Sequence, residues 1–254
     1  MKVDAVSGYN DRVSTYARHR WDYAPEAVRA FVQACGLAPE WVVADIGAGT
    51  GMVVSHVIDQ VRTLYAVEPN AEMRDVARRA FGTLPAYREI AGTSDRTTLP
   101  GESIDLITVG RAIHWFPPEP TRHEFRRILK PDGWLAVWST PCTDQAWIDA
   151  QHTVESEEYG WNPALTRFRP DMVPPSYYFG DAVIQTISEP CVVRETFEML
   201  LGRLSSQLAT PAPGHPKREA YERALRAVFD RYARDGVLTI SIATEITFGK
   251  LGSG

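Results

Sequence analysis

Two carboxylates and a glycine-rich turn near the start of the chain have the residue types and spacing of a ligand site. Asp45 closes an apolar run, glycines follow at 47, 49 and 51, and Glu68 comes about 20 residues later. Glycine lets a ligand approach the main chain, and N–H groups at a helix start favour an electron-rich group. A carboxylate such as Glu68 can accept hydrogen bonds from both hydroxyls of a ribose. The stretch predicts a strand, a tight turn and a helix start that bind a ribose-containing ligand.

Two cofactors fit such a turn, and the glycine spacing separates them. A dinucleotide site has the fingerprint G-x-G-x-x-G, but Met52 stands where its last glycine would fall. The compact form Gly-Ala-Gly-Thr-Gly, preceded by Asp45, resembles the first motif of class I methyltransferases that use S-adenosylmethionine (SAM). The spacing therefore favours SAM over NAD, and an NAD-dependent oxidoreductase is the weaker interpretation.

The elements that must position these residues alternate between strands and helices. Apolar runs predict strands at 42–46, 63–67, 86–91, 104–109 and 134–139. Amphipathic spacing predicts helices at 71–81 and from just after Pro118 to about 129. Such alternation implies a parallel sheet covered by helices on both faces. Ligands bind beyond the carboxyl ends of the strands in these sheets, so Asp45, Glu68 and Gly110 should converge.

The remaining sequence is less regular. Helices are expected at 8–20, 25–35, 145–159 and 219–234, a strand at 191–197 followed by a helix to about 207, and a strand at 237–248. The predicted fold is α/β: a Rossmann-like, doubly wound, mostly parallel seven-stranded sheet with a final antiparallel strand and a helical cap. We expect a SAM-binding core at 1–140, a cap or substrate lobe at 141–190, and completion of the sheet by 191–254.

Further motifs strengthen the resemblance. The segments 16–23, 67–73 and 108–116 look like those of class I small-molecule methyltransferases, in the branch whose motif after the fourth strand ends in His-Trp-Phe. The resemblance implies SAM as cofactor and S-adenosylhomocysteine as product. Trp21 departs from the family pattern, which has proline there. The predicted cofactor-binding residues are Tyr16, Arg20, Asp45, Gly47, Ala48, Gly49, Glu68, Pro69, Met73, Ser94, Asp95, Gly110 and Arg111.

The resemblance also suggests which part of SAM each residue would contact. Tyr16 and Arg20 would contact the methionine end, Asp45 and the glycine turn the amino-acid portion, and Glu68 the ribose. Gly110 and Arg111 would line the sulfonium side.

Side chains of the third-strand loop and the following helix are open to a simpler explanation. Asp95 could accept from the adenine amino group, with the backbone N–H of Ser94 facing the ring, or could merely form a turn. Met73 could pack on the adenine face or belong to the core.

Methyl transfer would need few catalytic groups. The protein mainly has to hold a nucleophile in line with the methyl group, and a neutral amine needs no strong base. Tyr9, Tyr16 and Phe116 are predicted aromatic walls, and His114 is either a base or a residue that orients its loop. We therefore expect N-methylation of a small, polar metabolite. The chain resembles antibiotic-tailoring methyltransferases in size and layout, which implies a metabolite of the antibiotic type. O- or C-methylation and a SAM-binding module without turnover remain alternatives.

Composition limits the other classes. The formal charge of −5 argues against nucleic acid as the main partner. The three cysteines (Cys35, Cys142 and Cys191) predict neither a disulfide framework nor a zinc site, and no other metal site is expected. The N-terminal residues lack the apolar segment of a signal peptide, and no apolar run reaches membrane-spanning length. We expect a cytoplasmic protein with a small-molecule substrate and no membrane partner; the aromatic cap leaves a homo-oligomer open.

Overall fold

The computed structural model describes residues 12–13, 19–165 and 172–251, which fall into two compact units. The sheet unit comprises Tyr23–Ser139, Met172–Glu189 and Thr244–Gly254, and the helical unit comprises Met1–Asp22, Thr140–Asp171 and Pro190–Ala243. The predicted ranges 1–140, 141–190 and 191–254, and the functional roles assigned to them, stay predictions.

The seven strands form one sheet in the order β3-β2-β1-β4-β5-β7-β6. Neighbouring strands from β3 to β5 pair in parallel, and β7 pairs antiparallel with β5. The predicted Rossmann-like sheet is therefore confirmed, although β6 lies at the edge beyond β7. The strands are β1 (Val42–Ile46), β2 (Thr63–Val67), β3 (Tyr87–Ile90), β4 (Ile104–Gly110), β5 (Leu129–Ser139), β6 (Gln185–Glu195) and β7 (Leu238–Lys250).

The helices begin and end where local chemistry allows. Pro25 starts the first helix, because the missing N–H of proline costs nothing in a first turn. Gly36 ends that helix with φ of 69° and an N–H that donates to Val32 O. The α-helices are α1 (Pro25–Cys35), α2 (Val54–Val57), α3 (Ala71–Phe81), α4 (Pro118–Ile128), α5 (Gln145–His152), α6 (Ser176–Phe179), α7 (Phe197–Ser205) and α8 (Arg218–Tyr232).

The sheet unit has a hydrophobic core on each face of the sheet. Successive side chains of a strand point to opposite faces, so Val43 joins the cluster of Phe31 and Trp138, whereas Ala44 joins the cluster of Phe125. All five residues of β1 are buried, as expected for a central strand covered by helices on both sides. This covered central strand fixes the position of Asp45.

The start of β5, the end of α5 and the location of Tyr178 differ from the predictions. β5 begins at Leu129 instead of 134, and its pairing with β4 is irregular between Leu129 and Trp134. α5 ends at His152. The hydroxyl of Thr153 donates a hydrogen bond to Ala150 O at 2.7 Å, and this bond competes with continuation of the helix. Tyr178, predicted to lie in the cap, is 1% exposed and packs in the sheet unit beside Phe125.

The helical unit has its own core, in which Trp147, Tyr221 and Phe229 are almost completely buried. The predicted helix at 8–20 lies largely outside the described residues. None of the helices in the described part of the chain is both long enough and apolar enough to cross a membrane.

Candidate functional site

The predicted site residues of the first two strands lie together at the carboxyl end of the sheet. Asp45 is in register with Ala66 on β2 and with Thr108 on β4. Glu68 follows the last residue of β2 directly. The glycine turn leaves β1 between these neighbouring strand ends, which is where ligands bind in open α/β sheets.

Gly47 occupies a position that only glycine fits. Its φ is 71°, and an added Cβ would lie 2.6 Å from Ala112 Cβ and 3.1 Å from Phe116 Cζ. Beside Gly49, by contrast, Met73 Sδ, at 3.7 Å, is the only atom of the described residues within 4 Å of an added Cβ. The turn is therefore tightly packed at Gly47 and open to a ligand at Gly49.

The amides of the turn are already hydrogen-bonded. Gly47 N–H and Ala48 N–H both donate to Val67 O, at 2.9 and 3.1 Å, and Gly49 N–H donates to Glu68 Oε2 at 3.0 Å. The amides of these three turn residues therefore already have partners within the protein. The helix that follows, α2, has only four residues. A ligand here would meet carboxylates and open main chain rather than a row of amides.

Asp45 is a buried acid with little to compensate its charge. Asp45 is 1% exposed. Thr108 Oγ1 donates a hydrogen bond to Asp45 Oδ1 at 2.8 Å. Among the described residues, Thr108 is its only side-chain hydrogen-bond partner. Burial raises the pKa of Asp45 to about 7, the bond from Thr108 opposes this, and the nearby Glu68 adds to it. A cationic ligand group beside Asp45 would stabilise the ionised form.

Glu68 is held by backbone amides on both carboxylate oxygens. Oε2 accepts from Gly49 N–H, and Oε1 accepts from Asn70 N–H at 2.8 Å. Burial raises the pKa of Glu68, while these two hydrogen bonds and the charge of Arg74 act in the opposite direction. Each oxygen has a second lone pair, so the carboxylate can still accept from a diol.

Two residues that sequence reasoning did not assign hold the segment around Glu68. Asn70 Oδ1 accepts from Met73 N–H at 2.9 Å and caps the start of α3. Arg74 Nη1 donates at 2.8 Å to the carbonyl oxygens of both Glu68 and Pro69. The N-cap preference for Asn before a helical pattern was a signal that could have identified Asn70.

The loop after β3 is fastened to α4 by side chains. Ser94 Oγ and Thr121 Oγ1 are 2.7 Å apart, and both residues are buried. Thr97 N–H donates to Glu124 Oε1 at 2.9 Å. Asp95 is exposed, and its predicted contact with adenine stays a prediction. Thr121 and Glu124 were not predicted, since their partners lie about 27 residues away in sequence.

Glu124 is an ionised anchor for that loop. Burial alone would raise the pKa of Glu124, but hydrogen bonds from Arg127 and Thr97 outweigh burial and lower the pKa to about 2. Arg127 also donates to Leu99 O at 2.8 Å. Glu124 therefore stays ionised, and keeps its hydrogen bonds to the loop, throughout the pH range in which most proteins are folded.

The end of β4 brings Gly110 and Arg111 to the same edge of the sheet. A Cβ at Gly110 would meet Val53 Cγ2 at 2.5 Å and Tyr23 Oη at 2.8 Å. Arg111 has φ of 53°, a left-handed conformation that is uncommon for a residue with a side chain and that clusters at functional sites. Its guanidinium lies 5.3 Å from the centre of the Tyr23 ring.

His114 and Phe116 lie in the next turn. His114 is half-buried within the 3₁₀ turn Ile113–Trp115, and its ring centre is 5.0 Å from that of Trp115. Phe116 packs edge-on against Phe125 at 6.4 Å. Neither arrangement tests a catalytic role, so both assignments stay predictions.

Comparison with known proteins identifies the segment that contains this geometry. Residues 44–137 match the family described as a methyltransferase domain. Residues 44–137 form a methyltransferase domain. The resemblance to class I methyltransferases predicted from the sequence is thereby confirmed, while the assignment to the His-Trp-Phe branch stays a prediction.

Similar proteins carry the same description. An uncharacterized methyltransferase of Mycobacterium tuberculosis is 33% identical over 146 residues, and the alignment covers 57% of each protein. A proposed type II methyltransferase of Anaeromyxobacter dehalogenans superposes with a TM-score of 0.63 at 21% identity, over 92% of this chain and 99% of the other. A proposed methyltransferase from an antibiotic biosynthesis pathway of Anabaena variabilis gives 0.62 at 20% identity, over 89% and 97%. The two structural likenesses show the fold of the domain.

Several predicted residues lie outside the methyltransferase domain. Tyr9 and Tyr16 are outside the described residues. Arg20 belongs to the helical unit, so its predicted contact with the methionine end of SAM stays a prediction. Among the described residues, no cluster of three or more His, Cys, Asp or Glu could hold a metal ion.

Trp21, where the family pattern has proline, has a defined role in the helical unit. Its Nε1 donates to Glu195 Oε1 at 2.8 Å, and its ring lies 4.0 Å from the guanidinium carbon of Arg203. Arg203 donates to both oxygens of Glu195, at 2.8 and 2.9 Å. The indole thus joins a buried ion pair that proline could not support.

Proposed function

We propose that this chain is a SAM-dependent methyltransferase that acts on a small-molecule acceptor. The observation that carries the proposal is the pair of buried carboxylates, Asp45 and Glu68, at neighbouring strand ends with an open glycine turn beside them. The methyltransferase domain at residues 44–137 supports the same reaction class. The chain spans 57% of the length of the curated relatives it matches first, so the activity of the whole protein is part of the proposal.

The residues fit SAM on grounds of charge and space. The α-ammonium of SAM would stabilise the ionised form of Asp45, whose charge is otherwise costly to bury. The ribose diol can donate to the remaining lone pairs of Glu68. The space beside Gly49, bordered by Met73 Sδ, admits the ligand close to the main chain. When bound, SAM supplies an electrophilic methyl group on a sulfonium centre.

The protein's own residues then have to orient the acceptor in line with the methyl group and exclude water from the site. Proximity and alignment can supply a large part of the rate enhancement. Asp45 would hold the amino-acid portion of the cofactor and Glu68 its ribose, and the packed contact of Gly47 with Phe116 would fix the wall next to the turn. Tyr9, Tyr16 and Phe116 are proposed as aromatic walls that stabilise an acceptor nitrogen as it becomes cationic.

We further propose N-methylation of a metabolite of the antibiotic type. An amine needs no strong base, and the fold resembles that of the Anabaena variabilis protein from an antibiotic biosynthesis pathway. O-methylation is the second candidate, because half-buried His114 lies in the turn after β4 and could accept a hydroxyl proton. A cytoplasmic location is also proposed, in keeping with the small number of cysteines, three, in the sequence.

The test compares SAM with NAD by calorimetric titration of the purified protein. We expect micromolar affinity for SAM, which corresponds to about −8 kcal/mol, no binding of NAD, and loss of SAM binding in Glu68→Ala. Asp59→Asn, which changes an exposed acid, is the matched control and should bind SAM normally. Binding of NAD without SAM would reject the proposal.

A second assay follows transfer of a radiolabelled methyl group from SAM to small amines and alcohols. Turnover on amines that survives in His114→Ala supports N-methylation. Turnover on alcohols that is lost in His114→Ala would instead support O-methylation. SAM binding without turnover on any acceptor of either class would favour a binding module.

A further inference from the structure

Two arginines on α4 lie together in the sheet unit, outside the candidate cofactor site. Arg122 and Arg126 are four residues apart, so they share one face of the helix, and both are half-buried. Their Nη2 atoms approach the same point beside Gly180, at the end of α6. Like charges at this spacing repel each other, so their juxtaposition needs a compensating partner.

The described residues provide no such partner. No carboxylate among them forms an ion pair with Arg122 or Arg126, whereas the next arginine on the helix, Arg127, pairs with Glu124 at 2.7 Å. Asp181 follows Gly180 but is exposed and makes no ion pair with either arginine. The Nε atoms of both arginines are buried without a hydrogen-bond partner. Buried donors of charged groups left unsatisfied destabilise a fold, which indicates that an anion completes this cluster.

Gly180 lets both guanidinium groups approach the main chain closely. A Cβ there would lie 2.6 Å from Arg122 Nη2 and 3.2 Å from Arg126 Nη2, so any larger residue would displace these groups. Gly180 has φ of 64° and ψ of −129°, a conformation that is essentially restricted to glycine. The Tyr177 ring lies 5.4 Å from the Arg122 guanidinium carbon and holds that side chain in place.

We propose that Arg122, Arg126 and Gly180 form a binding site for a phosphate group. Two guanidinium groups carry two positive charges, which a phosphate dianion neutralises and a single carboxylate does not. Guanidinium donors match the oxygens of phosphate in planar, bidentate geometry. The inference does not depend on methyl transfer, since none of its residues belongs to the candidate cofactor site.

The test is a titration of the purified full chain with inorganic phosphate, followed by ³¹P NMR at constant ionic strength set with chloride. Saturable binding is expected, with a Kd that rises at least roughly tenfold in the double variant Arg122→Gln/Arg126→Gln. The matched control, Arg62→Gln/Arg79→Gln, removes the same charge from two exposed arginines without ion pairs and should bind like the wild type. Absence of saturable binding, or an unchanged Kd in the double variant at Arg122 and Arg126, would overturn the proposal.

A second variant keeps both positive charges and removes only the planar, forked arrangement of N–H donors that a guanidinium group has. Arg122→Lys/Arg126→Lys should fold normally and weaken phosphate binding by at least about threefold; wild-type affinity would overturn the geometry proposed here. Glycerol 3-phosphate distinguishes the two sources of the same group. Tighter binding of the ester assigns the site to a phosphorylated metabolite, and tighter binding of inorganic phosphate assigns it to the free anion.

Discussion

Asp45 and Glu195 are both buried acids, at 1% and 2% exposure, but their surroundings differ completely. Glu195 in the helical unit receives two hydrogen bonds from Arg203 and one from Trp21. Asp45 in the sheet unit receives one from the hydroxyl of Thr108. A buried carboxylate with a full set of donors supports its unit, whereas one with a single neutral donor costs stability and is explained by a ligand. The difference indicates which acid serves the fold and which serves a site.

The largest expected effect is on the Glu195 side of the comparison. Glu195→Ala leaves Arg203 buried without its counter-charge, and the free energy of unfolding should fall by about 3–5 kcal/mol. Urea denaturation followed by tryptophan fluorescence measures the change. Glu198→Ala, an exposed acid on α7, the helix that carries Arg203, should change it by less than about 0.5 kcal/mol. Equal effects of the two substitutions would mean that the buried pair is not structural.

Asp45→Asn should separate binding from stability. The amide keeps an oxygen for Thr108 and removes the buried charge, so the free energy of unfolding at pH 8 should stay constant or rise by about 1 kcal/mol. SAM affinity should fall at least about 30-fold, or about 2 kcal/mol, because the α-ammonium loses its counter-charge. Calorimetric titration and urea denaturation of the same preparation give both values. A loss of stability as large as that of Glu195→Ala would erase the contrast between the two acids.

The pH dependence sharpens the same contrast. The folded-state pKa of Asp45, about 7, lies above its ordinary value of 3.8. Between these values the folded protein binds more protons than the unfolded chain, so the contribution of Asp45 lowers the free energy of unfolding as pH rises from 4 to 7. SAM affinity should instead increase as the pH rises towards 7, because Asp45 becomes ionised. Below pH 7 it should fall by up to about tenfold for each unit by which the pH is lowered. Titrations of wild type against Asp45→Asn isolate this contribution, and a flat difference between pH 5 and 8 would contradict it.

Trp21→Phe should have the smallest effect. The substitution keeps an aromatic ring near Arg203 but removes the indole hydrogen bond to Glu195, for a loss of about 1 kcal/mol. Thermal unfolding compared with Trp41→Phe, an aromatic residue in the sheet unit, provides the measurement and control. Destabilisation as large as that of Glu195→Ala would show that Trp21 contributes much more than one hydrogen bond.

Much of the sheet could be predicted because its signals are local. The runs that form β1, β2 and α3 coincide with the predicted ranges, since apolar periodicity, Asn70 and the glycines act within a few residues. Asp45 and Glu68 could be placed together because each ends a parallel strand. The sequence resemblance supplied the cofactor assignment, which no single side chain carried.

The missed features depend on contacts between distant parts of the chain. β6 begins at Gln185, six residues before its predicted start, because its side chains are mostly exposed or half-buried and its polar pattern, with Pro190, hides an edge strand. The single-donor state of Asp45 and the bonded amides of Gly47 and Ala48 arise from partners on β4 and β2. Such partners become visible only when the register of the strands is known.

The fastening of the β3 loop to α4 limits how this protein could be re-engineered. Ser94 depends on Thr121, and Thr97 depends on Glu124, so half of each contact is encoded in the helix. A loop taken from another protein would lose both hydrogen bonds. Its new residues would then face Thr121 and Glu124 on α4 without matching partners. Changing the predicted adenine contact of this loop would therefore require residues 92–97 and the facing positions of α4 to be exchanged together.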